Sequence, residues 1–463
     1  MRWACASSKA SVLRALPTFS RSAASAASRF SSSAGVFDAC VVGGGVVGAA
    51  VCRELTLQGY ACLLLERSPH LASGASSGNT GIACTASDVE EGTVEHSCLV
   101  EGTSLNLETY KALNIPHRAS GTVYCAYSTQ EYAVLQKDFL RRLSRGDAVA
   151  LLDAHEARGL APSASQSLVG GLWVKGEVVV DPWLVPIAWA RHAWENGAVI
   201  ERGSEVVGAS FDEVQRLWKL DVRHRSEAVR ARVVVACGGL SGDQLESLVR
   251  PSPFSIKPRR GDYVLYENTG VGAEVGSVPL GSVPNATSRG VFFWRSVHGV
   301  LAVGPTAYEV DDRVVPPPPP ADDVVDFLKQ AASNSCSELA NASIAGTYSG
   351  LRPGSELSDY RISLDQGRQW VTVGGIRSTG LTASLGIAKL VSRLCGESLV
   401  GQVSFKRETD VHWTPLPSVP SIVASFCERA DGSVVFSDTP GFGAHYVTHP
   451  LTRIGFSRMS QHA

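Results

Sequence analysis

A glycine-rich turn between a short apolar strand and an apolar helix constrains this chain more than any other feature. Residues 36–42 form a β-rich run that leads into GGGVVG at 43–48 and then into a helical pattern to about residue 58. A second apolar strand follows at 61–66 and ends on Glu66. The order strand, G-x-G-x-x-G, helix, strand and acid predicts a Rossmann-type βαβ unit that binds a dinucleotide.

Each part of this unit has a chemical reason. Gly43 allows the tight turn, Gly45 lets a pyrophosphate approach the backbone, and Gly48 lets the helix pack closely on the strand. The N–H groups at the helix N-terminus favour an anion, and the Glu66 carboxylate can accept hydrogen bonds from a ribose diol. The small polar loop at 72–81 lets the backbone approach a large, flat cofactor. The unit alone leaves both NAD and FAD open.

The charge of the chain is unevenly distributed. There are 42 Lys+Arg and 44 Asp+Glu residues, which gives a formal net charge of -2. Five basic residues and no acids fall within 1–37, so the remainder has 37 basic and 44 acidic residues and a net charge of -7. Since nucleic acid needs a clustered basic face, we predict no nucleic-acid partner.

No apolar run reaches the roughly 18 residues of a spanning helix, so we predict no transmembrane segment. Peripheral membrane contact stays open.

The first 35 residues differ in composition from the rest. They are rich in Ser and Ala, contain no acid, and place basic residues among apolar ones. This pattern predicts an organellar transit peptide, for the mitochondrion or alternatively the plastid, and it lacks the continuous apolar core of a secretory signal.

The eleven cysteines contain no CxxC pair. We therefore predict buried thiols in a reduced compartment and no metal site.

The rest of the chain alternates helical and β-rich patterns. A proline run at 316–320 predicts a stiff, extended connector, and the tail at 396–463 predicts irregular strands and loops. Helices are predicted at 97–113, at 129–145, from Asp181-Pro182-Trp183 to about 196, at 322–332 and at about 383–395.

Several ordered motifs accompany the glycine-rich turn. They are SSGNTG at 76–81, VVACGGL at 234–240, PRRGDY at 258–263, GPT at 304–306, GLRP at 350–353 and GGIRSTGLTAS at 374–384. On these motifs the chain resembles the FAD-dependent oxidoreductases of the D-amino-acid-oxidase (DAO) superfamily. Within that superfamily it looks most like the branch of L-2-hydroxyglutarate dehydrogenases and glycerol-3-phosphate-dehydrogenase-like proteins.

The resemblance implies an α/β fold in which a Rossmann-type FAD-binding domain is interleaved with a mainly β substrate domain. The FAD-binding domain would use 36–100, 170–250 and 345–395, and the substrate domain would use 101–169 and 251–344. The resemblance also implies FAD as the cofactor. A small anionic CH–OH substrate, an L-2-hydroxy acid such as 2-hydroxyglutarate or a polyol phosphate, would transfer a hydride to flavin N5. A quinone, an electron-transfer flavoprotein or oxygen would then accept the electrons.

The resemblance assigns roles residue by residue. Arg352 in GLRP would grip the anionic group of the substrate, because a guanidinium offers a planar, permanently charged fork. Arg377 would stabilise negative charge on the reduced flavin. The implied cofactor-binding residues are Gly43, Gly45, Val47, Gly48, Glu66, Arg67, Ser77, Gly78, Asn79, Gly238, Gly380, Leu381 and Thr382.

One position departs from the family pattern. In the hydroxyglutarate branch a histidine follows the loop motif and is the expected general base, whereas this chain has Cys84 there. Since a thiol with an ordinary pKa is a poor base near neutrality, we take His96 and His298 as the candidate bases, with Asp88 a weaker one. Two alternatives follow from the departure. The enzyme could oxidise a CH–NH bond, as amino-acid and sarcosine-type oxidases do, or the chain could be a catalytically silent flavin-binding assembly factor.

Overall fold

The structure is a computed structural model that describes residues 35–267, 272–284, 290–399, 411–425, 427–428, 434–436 and 442–461. The predicted leader lies outside these residues except for Gly35. The helices are α1 (Val46–Leu57), α2 (Val94–Ala112), α3 (Thr129–Ser144), α4 (Ala154–Leu160), α5 (Leu184–Glu195), α6 (Gly242–Glu246), α7 (Asp322–Ser335), α8 (Gly380–Ser398), α9 (Val419–Ala424) and α10 (Pro450–Ser460). The strands are β1 (Val36–Val42), β2 (Cys62–Glu66), β3 (Ile82–Ala83), β4 (His117–Arg118), β5 (Thr122–Ala126), β6 (Val149–Asp153), β7 (Gly170–Val174), β8 (Val178–Val180), β9 (Val199–Arg202), β10 (Val206–Asp212), β11 (Leu217–Val222), β12 (Val229–Ala236), β13 (Ile256–Tyr266), β14 (Leu280–Ser282), β15 (Phe292–Arg295), β16 (Leu301–Gly304), β17 (Tyr308–Glu309), β18 (Ile344–Ser355), β19 (Arg361–Asp365), β20 (Trp370–Gly374), β21 (Cys427–Glu428), β22 (Val434–Phe436) and β23 (His445–Tyr446).

An eight-stranded sheet, called the first sheet, contains the predicted βαβ unit. Its main order is β10-β11-β12-β1-β2-β9, and β20 pairs with the carboxyl-terminal half of β12. Strands β1, β2, β9, β12 and β20 are parallel, while β10, β11 and β19 join in antiparallel pairs. The carboxyl ends of the parallel strands therefore meet at one edge, where ligands bind in sheets of this kind.

Strand β1 is buried on both faces, which explains its continuous apolar sequence. Ala39 and Val41 belong to the core that includes α1, whereas Cys40 and Val42 pack in a second core with Trp218. Because both faces of a central parallel strand are covered, apolar and polar residues do not alternate along it.

Helices α1, α2, α5 and α8 pack together against the first sheet. The close crossing of α2 and α8 requires glycine. A Cβ at Gly102 would lie 2.4 Å from the carbonyl oxygen of Thr382, and a Cβ at Gly386 would lie 2.0 Å from that of Cys98. This crossing helps to hold the N-terminal turn of α8 at the ligand-binding edge of the sheet.

A nine-stranded sheet, called the second sheet, forms the other unit. Its main order is β17-β13-β16-β15-β14-β5-β7-β6, and β18 pairs with β13 along nearly its whole length. Val264 and Phe293 face a core that includes Leu328 of α7, while Leu265 and Trp294 face a separate core on the opposite side. The long β13–β18 ladder places Arg352 directly opposite Arg259.

The predicted α/β fold class is confirmed, but the structure divides the chain differently at three places. Strand β7, at the start of the predicted segment 170–250, pairs with β5 and β6 in the second sheet. Strand β18 also belongs to the second sheet, although 345–395 was assigned to the FAD-binding domain. Helix α2 continues past residue 100 without a break and packs on α8, so residues 101–112 belong with the first sheet and its helices.

The predicted helices are all present with shifted ends. The starts of α2, α5 and α8 each lie three residues from the predicted ones. Helix α5 begins at Leu184, since the Asp181 carboxylate accepts from the N–H groups of Trp183 and Leu184. The connector at 316–320 contains no helix or strand. The prediction for the tail was wrong in one respect, because it contains the helices α9 and α10 as well as short strands.

Candidate active site

A cavity of about 1480 Å³ lies between the two sheets. Gly43 from the end of β1 and Gly374 from β20 line it from the first sheet, and Tyr263, Phe292 and Arg352 line it from the second. A volume of this size can enclose a large cofactor together with a small substrate.

The glycine turn forms one end of the cavity. Gly43 has φ +116°, and a Cβ there would lie 2.3 Å from the carbonyl oxygen of Cys237. A Cβ at Gly48 would lie only 1.9 Å from the oxygen of Gly43, so α1 can approach the turn only because position 48 has no side chain. Gly45, Val47 and Gly48 line the cavity, and the N-terminus of α1 therefore faces it.

Glu66 lies beside this turn at the end of β2. Its Oε2 accepts from the Gly44 N–H at 2.6 Å, and its Oε1 accepts from the Ser68 N–H at 2.7 Å. Burial raises the pKa of Glu66, although these two hydrogen bonds act against that rise. Both carboxylate oxygens are held in place and retain further acceptor capacity for hydroxyl groups. Arg67, which also lines the cavity, donates from Nη1 to Ser241 Oγ at 3.2 Å.

The loop after β2 lines the cavity with a different serine from the predicted one. Ser77 does not lie on the cavity wall, because its hydroxyl points back to the carbonyl of Gly74 at 2.9 Å. Ser76 lies on the wall, and its Oγ accepts from the Val46 N–H at 3.0 Å. The one-residue difference arises from a short 3-10 turn at Ala75–Gly78, which a single sequence does not reveal.

Gly78 and Asn79, two of the residues predicted to bind the cofactor, line the cavity. A Cβ at Gly78 would lie 2.4 Å from the Cα of Gly350, so the loop and β18 touch backbone to backbone. Asn79 holds the loop together, since its Nδ2 donates to the Ser76 carbonyl and its Oδ1 accepts from the Gly81 N–H, both at 2.8 Å.

The opposite wall comes from the start of α8. Gly380, Leu381 and Thr382 line the cavity, as does Gly238 after β12. Because α8 begins at Gly380, its N-terminal N–H groups lie at the cavity and favour negative charge there.

Arg377 also lines the cavity, but it is held in an ion pair. Its Nη2 donates to Glu95 Oε2 at 2.7 Å, and Thr379 Oγ1 donates to Glu95 Oε1 at 2.7 Å. The side chain of Glu95 is 3% exposed, against 38% for Arg377. A buried carboxylate thus neutralises part of the charge that Arg377 presents to the cavity.

Arg352 lies on the wall formed by the second sheet. A Cβ at Gly261 would lie 2.5 Å from Arg352 Nη2, so the guanidinium rests over a residue that has no side chain. Arg352 also donates to the Thr306 carbonyl at 3.3 Å, and Arg259 lines the same cavity opposite it. Burial raises the pKa of the neighbouring Tyr263 to about 12, although Arg352 acts in the other direction. The wall therefore presents two cations and a neutral phenol.

The structure does not bring His96 or His298 to the cavity. The side chain of His298 is buried beneath α10, where Nε2 and Asp181 Oδ2 are 2.5 Å apart. His96 lies in the first turn of α2, which the Thr93 side chain caps by accepting from the His96 N–H. Among the described residues that line the cavity there is no histidine.

Cys84 lies on the cavity wall, with its Sγ 3.6 Å from Thr382 Oγ1. Strands β3 and β8 are antiparallel with Ala83 opposite Val178, so the next pair brings Cys84 opposite Glu177. A Cβ at Gly176 would lie 3.0 Å from Thr85 Cγ2. The segments that follow β3 and precede β8 therefore stay side by side beyond the hydrogen-bonded pairs.

Glu177 is buried and lines the cavity, and the sequence predictions missed it. Its signal was an acid at the head of an apolar β run, GEVVV at 176–180. Asp88, the weaker predicted base, also lines the cavity.

Helix α3 supplies basic residues that the sequence predictions also missed. Lys137, Arg141 and Arg142 all line the cavity. Arg142 is buried, donates to Asp138 Oδ2 at 2.8 Å and to Ser87 Oγ at 2.7 Å, and so serves to hold the helix in place. The pattern RR in an amphipathic helix gave no sign of which arginine would face inward.

Comparison with known proteins identifies the group to which this site belongs. A family model described as FAD dependent oxidoreductase (DAO) matches residues 38–394. This chain belongs to that family. The predictions of an FAD-dependent oxidoreductase and of FAD as its cofactor are thereby confirmed.

Individual relatives agree with this assignment. A glycerol 3-phosphate dehydrogenase from Caloramator mitchellensis is 26% identical over 358 residues, 77% of this chain and 73% of the relative. The mitochondrial L-2-hydroxyglutarate dehydrogenase of Mus musculus is 28% identical over 284 residues, 58% of this chain and 60% of the relative. The dithionite-reduced, FAD-bound L-alpha-glycerophosphate oxidase from Mycoplasma pneumoniae superposes with a TM-score of 0.74 at 25% identity, covering 82% of this chain and 99% of that chain.

The residues present fit FAD. The glycine turn leaves backbone where side chains would otherwise fill the space, and the N-termini of α1 and α8 both face the cavity. Gly45 and Val47 would hold the pyrophosphate, Glu66 the ribose, and Gly380 with Thr382 the flavin end. Among the described residues, no helix combines the length and the apolar character needed to cross a membrane.

Proposed function

We propose that this flavoenzyme oxidises the CH–OH group of a small anionic substrate, a polyol phosphate such as glycerol 3-phosphate or an L-2-hydroxy acid such as 2-hydroxyglutarate. The names of the relatives describe oxidation of secondary alcohols that carry a phosphate or carboxylate group. The observation that carries the proposal is the pair Arg352 and Arg259, which lie opposite each other on one wall of the cavity. Two guanidiniums on one wall favour a phosphate or carboxylate over a neutral ligand.

FAD, when bound, supplies the acceptor for the hydride that leaves the substrate carbon. Arg352 binds the anionic group and so orients the alcohol carbon toward the flavin end of the cavity. The N-terminus of α8 and Arg377 stabilise negative charge at that end, with Arg377 moderated by Glu95.

The hydroxyl proton needs an acceptor of its own. We propose Glu177, because it is buried on the cavity wall and lies opposite Cys84, the position at which the resemblance leads one to expect the base. A carboxylate on the cavity wall can accept the proton of a substrate hydroxyl, which suits a general base. Tyr263 is unsuited to this task, since burial raises its pKa to about 12.

The experiment is anaerobic bleaching of the flavin in the purified full chain. The panel contains glycerol 3-phosphate, L-2-hydroxyglutarate, L-lactate, glycerol and several amino acids. Bleaching by an anionic hydroxy compound, but not by glycerol, supports the proposal. Bleaching by amino acids alone would replace it with CH–NH oxidation, and no bleaching by any compound would favour a silent flavin-binding factor.

One observation favours CH–NH oxidation as the second candidate. The described cavity wall holds Cys84 and no histidine, and a neutral amine can give up a hydride without a strong base. The wall that carries Arg352 and Arg259, called the anion-binding wall, serves an amino-acid carboxylate equally well, so only the substrate panel separates the two bonds.

Two further proposals concern the cellular setting. A quinone, an electron-transfer flavoprotein or oxygen accepts the electrons. Measuring oxygen consumption and quinone reduction by the purified enzyme distinguishes these acceptors. The protein is directed to mitochondria by residues 1–35, whose basic and Ser/Ala-rich composition supports import. A reporter fused to these residues should accumulate in mitochondria, and a diffuse cytosolic signal would contradict this proposal.

A further inference from the structure

The C-terminal segment lies beyond the part of the chain that matches the family. The match to the family model ends at residue 394. Residues 447–461, called the C-terminal brace, nevertheless pack into two cores: Val447 and Phe456 lie in the core that includes α1, and Leu451 lies in the core with Leu265 and Trp294 of the second sheet. Thr452 donates to the buried Asp181 at 3.0 Å, and Arg458 donates to the carbonyl of Tyr266 at 3.1 Å and to Glu267 at 3.0 Å.

The brace reaches the FAD loop through His449, the N-cap of α10. This residue is fully buried, and its Nε2 lies 2.9 Å from the carbonyl oxygen of Asn79. Its Nδ1 accepts from the Leu451 N–H at 3.2 Å, so Nδ1 is unprotonated and Nε2 carries the hydrogen. Burial lowers the pKa of His449 to about 4, which leaves the ring neutral near pH 7. One imidazole therefore performs two separate tasks: it caps α10 and donates to the loop.

The Asn79 carbonyl oxygen accepts hydrogen bonds from two side chains, His449 and Tyr348. Tyr348 Oη on β18 also donates to the Asn79 oxygen, at 3.2 Å. The ring of Tyr348 stacks on Tyr263, with centroids 4.2 Å apart and planes 5° from parallel, and meets the His449 ring edge-on at 5.5 Å. Tyr263 in turn neighbours Arg352. The outer side of the FAD loop is thus fixed by two donors, one from the second sheet and one from the brace.

We propose that His449 is a positioning residue that fixes Asn79 in the FAD-binding loop and so lets a segment outside the family region tighten cofactor binding. The loop at 72–81 is rich in Gly and Ser and has little apolar side chain of its own to hold it. An anchor that restricts such a loop before the ligand arrives lowers the entropy lost on binding. A second contact of the brace, Thr448 Oγ1 to the carbonyl of Ala72 at 3.1 Å, holds the other end of the loop.

The two tasks of His449 can be separated by two substitutions. His449→Gln retains a donor at the position of Nε2 but weakens the cap, whereas His449→Asn retains a capping acceptor but is too short to reach Asn79. Each variant is prepared as apoprotein and titrated with FAD, and the thermal midpoint of the apoprotein is measured in parallel. Arg453→Ala, at an exposed position on the same helix, is the matched control.

Loss of the hydrogen bond to Asn79 should weaken FAD binding roughly three- to tenfold in His449→Asn. His449→Gln should bind FAD within about twofold of the parent although its apoprotein melts earlier, and Arg453→Ala should match the parent. The proposal fails if FAD affinity follows the apoprotein melting temperature across the variants. It also fails if His449→Asn binds FAD as tightly as the parent.

Tyr348→Phe provides a second route if the histidine variants do not fold. It removes only the hydroxyl that donates to the same carbonyl. We expect a similar roughly three- to tenfold loss of FAD affinity, with retained melting of the apoprotein. Unchanged FAD affinity in this variant would show that removing a donor from the Asn79 carbonyl does not affect FAD binding, which contradicts the effect expected of each donor, and the inference would be overturned. Neither readout depends on the substrate, so the result is independent of the proposed function.

Discussion

Replacing Arg352 by alanine removes the guanidinium that rests over Gly261 on the anion-binding wall. A charge-assisted hydrogen bond to an anion contributes roughly 1.5–3 kcal/mol, which corresponds to a roughly 10- to 150-fold loss in kcat/KM. Arg259 lies opposite Arg352 and also lines the cavity, so part of the attraction for the anion survives the substitution. We therefore expect a loss near the lower end, roughly 10- to 30-fold.

The assay is anaerobic stopped-flow reduction of the flavin by the best substrate from the panel. A neutral analogue that lacks the anionic group is measured beside it. Arg352→Ala should reduce kcat/KM for the anionic substrate and leave the neutral analogue nearly unchanged. Arg352→Lys should fall between Ala and the parent, because an ammonium keeps the charge but cannot offer the planar fork. Arg361→Ala, at an exposed position on β19, should behave like the parent.

Gly261→Ala tests the same site from the other side. Its Cβ would lie 2.5 Å from Arg352 Nη2 and 2.9 Å from the Cβ of Pro305, so the guanidinium must move. The loss for the anionic substrate should resemble that of Arg352→Ala. An equal loss for the anionic substrate and the neutral analogue would refute the reasoning, since Arg352 would then act on the fold and not on the anion.

Three further predictions follow from the cavity and from the buried histidines. Glu177→Gln should lower the rate of flavin reduction roughly 100-fold or more while FAD still binds; an unchanged rate of flavin reduction excludes Glu177 as the base. Gly48→Ala should abolish FAD binding, because its Cβ would lie 1.9 Å from the Gly43 oxygen. Gly159→Ala, which has nothing within 4 Å and lies away from the cavity wall, should titrate like the parent. Burial, with a nearby arginine, lowers the pKa of His192 to about 3, so the unfolded chain binds more protons below about pH 6.5. The free energy of unfolding should therefore fall with pH from about 6.5 toward 3, and less steeply in His192→Gln, as urea titrations at several pH values would show.

The parts of the site that could be predicted from the sequence depend on local backbone requirements. Gly43 and Gly48 lie where a side chain would collide with the turn, so their spacing is a direct consequence of the geometry. Glu66 is the last residue of β2, so its place at the end of the strand could be predicted from the local sequence. These features need no information about distant parts of the chain, and the structure brings all three to the cavity.

The parts that could not be predicted depend on contacts between distant residues. His298 looked like a free base in the sequence, but a partner 117 residues away, Asp181, holds it beneath α10. Arg377 pairs with Glu95 across 282 residues. No local sequence pattern predicts these two ion pairs, since the residues around each partner do not indicate which distant residue it contacts.

The tail shows a signal that was present but not used. Proline in the first turn is typical of a helix start, and this rule supported the predicted helix at Pro182. Both tail helices also carry proline there, Pro420 in α9 and Pro450 in α10. Applying the same rule to the tail would have predicted both helices and pointed to His449 as a cap.

The distribution of charge now has a physical explanation at two scales. The body of the chain is acidic overall, with a net charge of -7 over residues 38–463, yet Arg352 and Arg259 form a basic wall inside the cavity. Salt screens surface charges beyond roughly 8–10 Å, whereas a guanidinium on the cavity wall lies within contact distance of a bound ligand, where screening is weakest. An anionic substrate therefore responds to the few cations that line its cavity and not to the sum over the surface. The same locality explains why changing one lining residue, such as Cys84, bears more on the reaction than any shift in net charge.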